Sequence, residues 1–220
     1  MFECKFCMID IEQFIERARA MDGMSGFSRS IKRFIDVFVS AMGILLFSPF
    51  FLMIYLAIRM GDGGPAFFKQ ARVGKNGKEF DIYKFRSMRV DAEKEGVPQL
   101  YAKDDDRLTK VGRFIRDHHL DELPQLWNVL KGDMSLVGHR PERMYFIEKI
   151  VEVNPDYQLL YYLRPGVFSR ATLYNGYTDT MEKMLERLRM DLEYLKNRTL
   201  LEDFKIIFLT VLSIFVGKKF

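Results

Sequence analysis

The longest hydrophobic pattern in the chain is the uncharged run of residues 37–58. It is about 22 residues long, which is enough for a transmembrane helix. Ser48-Pro49 interrupts its middle, and a proline inside a helix removes a hydrogen-bond donor and clashes with the preceding turn. Each half would be about 15 Å of helix, roughly half the depth of a bilayer core. The run is therefore either a kinked span or a hairpin that breaks at Ser48-Pro49 and leaves on the side where it entered.

Charged residues around this run bear on the choice between span and hairpin. Basic residues flank both ends, namely Arg29, Lys32, Arg33 and Arg59, so the positive-inside rule gives a span no clear orientation. A carboxylate near a membrane needs a partner, and Arg33 lies three residues before Asp36 on the same helical face. This pairing slightly favours the hairpin. We also expect the Ser48 hydroxyl to bond a carbonyl that Pro49 leaves free.

Shorter patterns predict the other elements. Apolar positions at helical spacing predict helices, and aromatic stretches on either side of a Lys-Asn-Gly-Lys turn predict a β-hairpin. The predicted helices cover residues 9–21, 121–130, 141–153, 181–198 and 200–216, and the predicted strands cover residues 67–68 and 80–85. The polar stretch 91–106 is interpreted as helix and loop. Lys205 interrupts the last helix, so that helix either lies in the membrane interface or is buried in the core.

Composition excludes several classes of protein. With 48% hydrophobic and 14% aromatic residues, the chain does not have the composition of a disordered protein. The net charge is only +4, and the basic residues gather around the apolar run, which favours phosphate or anionic lipid partners over nucleic acid. Cys4 and Cys7 are interpreted as ordinary reduced thiols, because no second pair of ligands lies nearby. The first 30 residues lack the apolar core of a cleavable signal peptide.

The densest group of chemically useful residues runs from Arg116 to Glu142 and contains the adjacent acids Asp121 and Glu122. Neighbouring carboxylates repel each other, so one pKa can be raised or both can share a cation. A carboxylate can also attack phosphorus. Basic residues that could hold phosphates are Lys84, Arg86, Arg116 and Arg140. The alternative is a solvated helix start with no function, since acids favour helix N-termini.

Many further motifs follow one another in order from about Ser30 to the C-terminus. They are Lys32-Arg33 with Asp36, Ser48-Pro49, Gly64-Pro65, Phe67-Phe68, residues 70–74, residues 83–88, residues 106–112 and the block 120–142. In these motifs the chain resembles the small monotopic polyprenyl-phosphate phosphoglycosyl transferases, also called bacterial sugar transferases. The resemblance implies a re-entrant membrane helix and a cytoplasmic-face location on the bacterial inner membrane.

The same resemblance implies a two-step reaction. Asp121 would attack the β-phosphate of a UDP-sugar, release UMP and carry the phospho-sugar until polyprenyl (undecaprenyl) phosphate accepts it. Mg²⁺ would be the cofactor, held against Asp121 and Glu122, with Arg116 and Arg140 in phosphate-binding positions. Membrane lipids would be partners, nucleic acid would not, and a homodimer is compatible with this kind of protein. The product would begin a membrane glycan.

These expectations give a mostly helical α+β fold with a re-entrant membrane helix hairpin, interfacial amphipathic helices and a small β-hairpin. We expect four segments: an N-terminal extension with an amphipathic helix (1–29), the re-entrant helix (30–60), a cytoplasmic catalytic domain (61–199) and a C-terminal interfacial or core helix (200–220).

The chain departs from the family pattern at three places. His139 stands where the family usually has proline, His118-His119 precede Leu120-Asp121-Glu122, and Phe168-Ser169-Arg170 replace a Thr-Gly-Trp motif. Residues near 174–176 bear on the choice of sugar or nucleotide. Two other functions stay open: a glycosyltransferase that binds UDP-sugar through residues 104–106 and releases UDP, and an inactive assembly scaffold. Zinc at His118-His119 is disfavoured, because adjacent side chains on a helix diverge.

Overall fold

The computed structural model describes residues 11–90, 92, 105–175 and 180–216. Cys4, Cys7, Asp104, most of the polar stretch 91–106 and the segment 176–179 lie outside this part of the chain, so the predictions made for them stay predictions. The described residues form a mostly helical structure with two small sheets.

The helices and strands follow one another in a regular order. The helices are α1 (Ile11–Met21), α2 (Gly26–Asp62), α3 (Lys110–Asp117), α4 (Gln125–Lys131), α5 (Met144–Val153), α6 (Arg170–Asn175), α7 (Met181–Asn197) and α8 (Leu200–Phe215). The strands are β1 (Phe67–Val73), β2 (Glu79–Phe85), β3 (Ser135–Val137) and β4 (Gly166–Phe168), and 3₁₀ turns cover Lys75–Gly77, Leu120–Glu122 and Pro155–Tyr162.

The apolar run forms a single long helix, α2, that starts at the cap Ser25 and ends at the left-handed Gly63. The predicted break at Ser48-Pro49 is wrong at the level of secondary structure, because the helix continues through Pro49. The predicted local compensation is confirmed. The Ser48 hydroxyl donates to the carbonyl of Leu45 at 2.8 Å, which is the carbonyl that an N–H at position 49 would otherwise bond.

Two stretches of α2 pack on the rest of the protein, and the middle does not. In the first half, Arg33 donates to the carbonyls of Val129 and Leu130 at 2.8 and 3.2 Å, at the C-terminal end of α4. In the second half, Ile54 and Ile58 are buried against Phe85 and Ile115, with Leu120 packed alongside. Residues 45–49 between these contacts are all exposed. Among the described helices, α2 alone is long and apolar enough to cross a membrane.

Asp36 is buried in the first half of α2, but its predicted pairing with Arg33 is wrong. The Asp36 carboxylate accepts from the Ser135 hydroxyl at 2.8 Å and from the Leu136 N–H at 3.1 Å, and Lys32 lies 3.9 Å away. Arg33 instead bonds the carbonyls that end α4, where a cation is favourable. The carboxylate therefore joins α2 to β3.

The predicted β-hairpin is confirmed, with β1 and β2 antiparallel around the Lys75–Gly77 turn and Phe68 opposite Lys84. A second sheet, which the sequence patterns did not predict, pairs β3 with β4 in parallel. Gly138 and Gly166 allow this pairing to continue beyond the strand end, because a Cβ on Gly138 would lie 2.5 Å from the Arg164 carbonyl oxygen. This close approach brings Gly138 and His139 beside β4.

The core lies between the hairpin, α1, α4, α7, α8 and the turn Pro155–Tyr162. The predicted inner face of α1 is confirmed: Ala18 is fully buried, and Ile11, Phe14 and Ile15 are partly buried. On α8 one side is buried at Asp203, Ile206 and Thr210, while Leu201, Phe204 and Phe208 are exposed. One face of the last helix is therefore in the core, and the location of α8 in the membrane interface stays a prediction.

Two predicted helix boundaries are wrong. Residues 121–130 do not form one helix: a 3₁₀ turn covers Leu120–Glu122 and α4 begins only at Gln125, with His119 in the left-handed region at φ 56°. The helix predicted from Pro141 begins at Met144, because the Glu142 side chain and backbone are both bonded to β1. The first change puts Asp121 and Glu122, called the dyad below, in a 3₁₀ turn. The second leaves residues 141–143 outside any helix.

Candidate active site

The centre of the site is Glu122, which holds two cations from distant parts of the chain. Lys84 Nζ donates to Glu122 Oε1 at 2.7 Å, and Arg140 Nη2 donates to the same oxygen at 2.9 Å. Lys84 and Glu122 are each 17% exposed. Three of the residues predicted for the site are therefore in direct contact, and one carboxylate places two cationic side chains next to each other.

The hairpin and α4 fix the position of Lys84. Lys84 lies on β2, and Asn128 of α4 bonds the neighbouring strand positions: its Nδ2 donates to the Asp81 carbonyl at 2.7 Å, and its Oδ1 accepts from the Tyr83 N–H at 3.0 Å. Asn128 is fully buried. A polar side chain buried in this way is stabilised by its hydrogen bonds, so it aligns β2 with the helix that follows the dyad.

Asp121 occupies a different environment from its neighbour. It lies in the 3₁₀ turn and is 6% exposed. Burial raises the pKa of Asp121 to about 6, opposed by the positive charge of Lys84 and reinforced by repulsion from Glu122. A carboxylate with this pKa is mostly ionised near neutral pH yet poorly solvated, which are the properties a nucleophile needs.

The charges of Glu122, Lys84 and Arg140 depend on one another. Burial would raise the pKa of Glu122, but Arg140 and Lys84 together hold it well below its usual range. Burial lowers the pKa of Lys84, and the attraction of Glu122 raises the pKa of Arg140. Glu122 is therefore a fixed anion between two cations, which suits positioning and charge balance better than proton transfer.

The two remaining predicted cations lie in different places. Arg116, at the end of α3, is close enough for its charge to lower the pKa of Asp121. Arg86 follows β2 and is buried against the end of α2, where a Cβ on Gly64 would approach Arg86 Nη1 to 2.5 Å. Arg116 is thus placed near the nucleophile candidate, whereas Arg86 packs against the turn that follows α2.

The dyad offers a limited set of oxygens for a metal. The described residues contain no group of three or more His, Cys, Asp or Glu side chains that could hold a metal ion. Mg²⁺ binds proteins through one or two carboxylates and takes its other ligands from phosphates and water. Asp121 and Glu122 fit that pattern together with a bound diphosphate, whereas they do not form a site that would hold Mg²⁺ alone.

The histidines of the region have local roles. His118 Nδ1 lies 2.8 Å from the Phe114 carbonyl oxygen, within the same helical turn. His119 adopts the left-handed conformation that turns the chain into the 3₁₀ segment. His139 is buried, its pKa is lowered to about 4 by burial, and its Nδ1 has no hydrogen-bond partner among the described residues. A neutral His139 therefore precedes Arg140.

Three charged residues near the site were not among the predicted site residues. Glu142 accepts from Arg72 Nη1 at 2.9 Å and from Arg187 Nη1 at 3.4 Å. Arg72 and Glu142 are in the motifs that carry the family resemblance, but nothing in their spacing indicates that they touch. Arg187 lies in a helix of ordinary amphipathic pattern, so no sequence signal distinguishes it from a surface arginine.

Comparison with known proteins identifies the family of the chain. Residues 27–217 match the bacterial sugar transferase family. The chain belongs to that family.

Individual relatives share about two fifths of their matched residues with the chain. It is 41% identical over 197 residues to a UDP-glucose:undecaprenyl-phosphate glucose-1-phosphate transferase from Escherichia coli, covering 89% of the chain and 42% of that protein. It is 40% identical to a UDP-N-acetylgalactosamine-undecaprenyl-phosphate N-acetylgalactosaminephosphotransferase from Aeromonas hydrophila, covering 85% of the chain and 44% of that protein. An exopolysaccharide production protein, PSS, from Rhizobium leguminosarum is 40% identical and is covered to 94%, against 83% of this chain. The chain thus spans less than half of the first two relatives and nearly all of the third.

Proposed function

We propose that this protein transfers a phospho-sugar from a UDP-sugar to undecaprenyl phosphate through a covalent intermediate on Asp121, as the first membrane step of a bacterial glycan pathway. One observation carries the proposal: a buried Asp121 with a pKa of about 6 lies beside Glu122, which holds Lys84 and Arg140. The names of the relatives, which act on UDP-sugars and undecaprenyl phosphate, support the choice of substrates.

In the first step a carboxylate oxygen of Asp121 attacks the β-phosphorus of the donor. The bond between that phosphorus and the bridging oxygen breaks, so UMP leaves and an acyl phosphate carrying the sugar remains. In the second step a phosphate oxygen of the lipid attacks the same phosphorus and releases the Asp121 carboxylate. Lys84, Arg116 and Arg140 would hold the phosphate oxygens and stabilise the charge that develops on them.

Glu122 would act by holding Lys84 and Arg140 at a fixed separation before substrate binds, because both donors already meet at its Oε1. Mg²⁺, when bound between the diphosphate and the dyad, would supply further neutralisation of phosphate charge. Asp121 and Glu122 are the residues expected to hold it.

The membrane arrangement is also proposed. Arg33 in the first half of α2 and Ile58 in the second half both contact the same folded body, and the exposed apolar residues 45–49 lie between them. This arrangement supports a re-entrant helix whose two ends stay on the cytoplasmic side of the inner membrane. Phe85 and Leu120, which precede or follow active-site residues, pack on α2, so the lipid substrate would meet Asp121 at the membrane surface.

The alternative of a glycosyltransferase that uses residues 104–106 has less support. Asp105 is buried and its carboxylate is bonded by Arg107 at 2.7 Å, while Asp104 lies outside the described residues. Both Asp105 carboxylate oxygens bond the Arg107 guanidinium, whereas Lys84 and Arg140 meet at a single oxygen of Glu122, so Asp105 is the poorer metal ligand.

Nucleotide release distinguishes these functions. The full chain in lipid, with Mg²⁺ and undecaprenyl phosphate, is incubated with a panel of UDP-sugars. The proposal predicts release of UMP with one or a few sugars and loss of that release in Asp121→Asn. Release of UDP would favour the glycosyltransferase, and absence of release from folded protein over a broad panel would favour a scaffold.

A further inference from the structure

Arg140, unlike Lys84 and Arg116, does not lie on a helix or strand, and the backbone on both sides of it is anchored. On the N-terminal side, the Gly138 N–H donates to the Phe168 carbonyl at 3.0 Å, and the Gly166 N–H donates to the His139 carbonyl at 2.8 Å. These bonds tie residues 138–139 to β4. The position of Arg140 is thus fixed from one side by the parallel sheet.

On the C-terminal side the anchor is β1. Arg72 Nη1 donates to the Pro141 carbonyl at 3.0 Å and to Glu142 Oε1 at 2.9 Å. The Val73 N–H donates to the Glu142 carbonyl at 3.1 Å. Three hydrogen bonds therefore hold the two residues after Arg140, and two of them come from a single guanidinium.

Arg187 adds a second cation to Glu142 from α7. Its Nη1 lies 3.4 Å from Glu142 Oε2, and the side chains of Arg187, Arg72 and Glu142 are only 13%, 16% and 16% exposed. A carboxylate between two cations here repeats the arrangement around Glu122. Charges this poorly solvated interact strongly. The two arginines therefore partly neutralise Glu142 and weaken its electrostatic attraction for the nearby Arg140.

We propose that Glu142, held by Arg72 and Arg187, is a positioning residue that sets the location of the Arg140 guanidinium and keeps it on Glu122. Glu142 acts on the substrate only through Arg140. With the Glu142 contacts intact, the loop is fixed and Arg140 faces the phosphates. With Arg187 removed, the Glu142 carboxylate is less neutralised and competes with Glu122 for Arg140. This inference rests on the proposed function for the identity of the ligand, a nucleoside diphosphate.

The test is a double-mutant cycle measured by binding, with UDP as the probe and the full chain in lipid nanodiscs. Glu142→Gln and Arg140→Gln should each weaken UDP binding by about tenfold, and the double variant should be no weaker than Arg140→Gln alone, because one effect acts through the other. Additive losses, or an unchanged dissociation constant in Glu142→Gln, would overturn the proposal.

Two further variants distinguish the proposed effect on Arg140 from a general folding defect. Arg187→Gln, which keeps the Arg72 bonds, should also weaken UDP binding and should do so only when Arg140 is present. The matched control is Arg189→Gln on the same helix, whose ion pairs with Glu186 and Glu193 are exposed. It should bind UDP like the wild type, and an equal loss in that control would contradict a specific role for Arg187.

The result of the double-mutant cycle can be distinguished from a failure of the proposed function. If the wild type binds UDP but releases no UMP from any donor, the covalent reaction fails while the cycle still tests the link between Glu142 and Arg140. If the wild type is active and the cycle is additive, the positioning role alone is wrong.

Discussion

At the scale of single residues, two adjacent carboxylates have opposite electrostatic situations. Asp121 is buried with a pKa raised to about 6, and Glu122 next to it has a pKa well below its usual range because it is bonded to Lys84 and Arg140. A carboxyl group that is costly to ionise in the folded protein marks a candidate catalytic residue. The difference leads to opposite stability effects for two isosteric substitutions.

Asp121→Asn is expected to stabilise the fold while it abolishes transfer. Because the folded pKa exceeds the usual Asp value of 3.8, the folded protein binds a proton more tightly than the unfolded chain, and the stability from this group is lost as pH rises from about 4 through 6. At pH 7 the neutral amide should raise the free energy of unfolding by roughly 1–3 kcal/mol. Denaturant unfolding at pH 4 and pH 7 measures this, and the gain should vanish at pH 4.

Glu122→Gln is the matched comparison, and it should lower the free energy of unfolding by about 2–3 kcal/mol at pH 7. It removes the anion and leaves Lys84 and Arg140 close together and poorly solvated. If both amide variants changed stability in the same direction, the contrast drawn between the two carboxylates would be wrong.

The pH dependence of the reaction follows from the same two residues. Transfer needs an ionised Asp121, so kcat/KM should rise about tenfold per pH unit below pH 6 and level off above it. The alkaline limit should fall below pH 10.5, because burial lowers the pKa of Lys84. The pH–rate profile of the wild-type enzyme measures both limits. An acid limit near pH 4 would contradict the raised pKa of Asp121.

Most of this site could be predicted from the sequence at the level of residue identity. Asp121, Glu122, Lys84 and Arg140 are in motifs of strong family resemblance, and three of them meet as expected. The position of Arg187 could not be predicted, because its contact with Glu142 spans 45 residues and leaves no local pattern.

At the scale of elements, the long helix α2 is the feature most closely tied to function. Hydrophobicity predicted its existence, and Pro49 with Ser48 predicted a local compensation at Leu45. The helix nevertheless continues where a break was expected, because one missing hydrogen bond replaced by a side-chain hydroxyl costs too little to end a long apolar helix.

A topology measurement tests the re-entrant arrangement. Single cysteines replace Ser30 or Gly61 in a background without Cys4 and Cys7, and an impermeant maleimide labels oriented vesicles. Gly61 has no atom within 4 Å of an added Cβ, so the substitution fits there. Both sites should label from the cytoplasmic side. Labelling from opposite sides would show a span, and Pro49→Ala should raise the fraction that spans, because it removes the proline ring, whose clash with the preceding turn bends helices.

At the scale of the whole molecule, α2 and the C-terminal helices are joined by buried charges. Lys32 of α2 donates to Asp203 of α8 at 2.6 Å, and Asp203 also accepts from Tyr194 of α7. Near the start of α2, Asp22 accepts from Arg198 at 2.7 Å and from Arg29 at 2.8 Å. The segment before α2 and the helices α7 and α8 therefore hold in place the helix that is proposed to enter the membrane.

The overall architecture was less predictable than the elements. Pattern gave α1, β2, α7 and α8 close to their observed bounds, whereas β1 continues to Val73 and was predicted only over residues 67–68. The parallel pair β3–β4 was missed, since three-residue strands carry too little pattern to identify, and their pairing depends on the close approach of Gly138 and Gly166. That unpredicted sheet is the one that places Arg140.

The central claim is that Asp121 becomes covalently attached to the phospho-sugar. The most direct test is intact-protein and peptide mass spectrometry after incubation with the UDP-sugar that supports UMP release, with Mg²⁺ and without undecaprenyl phosphate. We predict a mass increase of one sugar phosphate on the peptide containing Asp121, absent in Asp121→Asn and discharged when undecaprenyl phosphate is added. UMP release without any adduct on that peptide, from a rapidly quenched and active enzyme, would contradict the covalent mechanism.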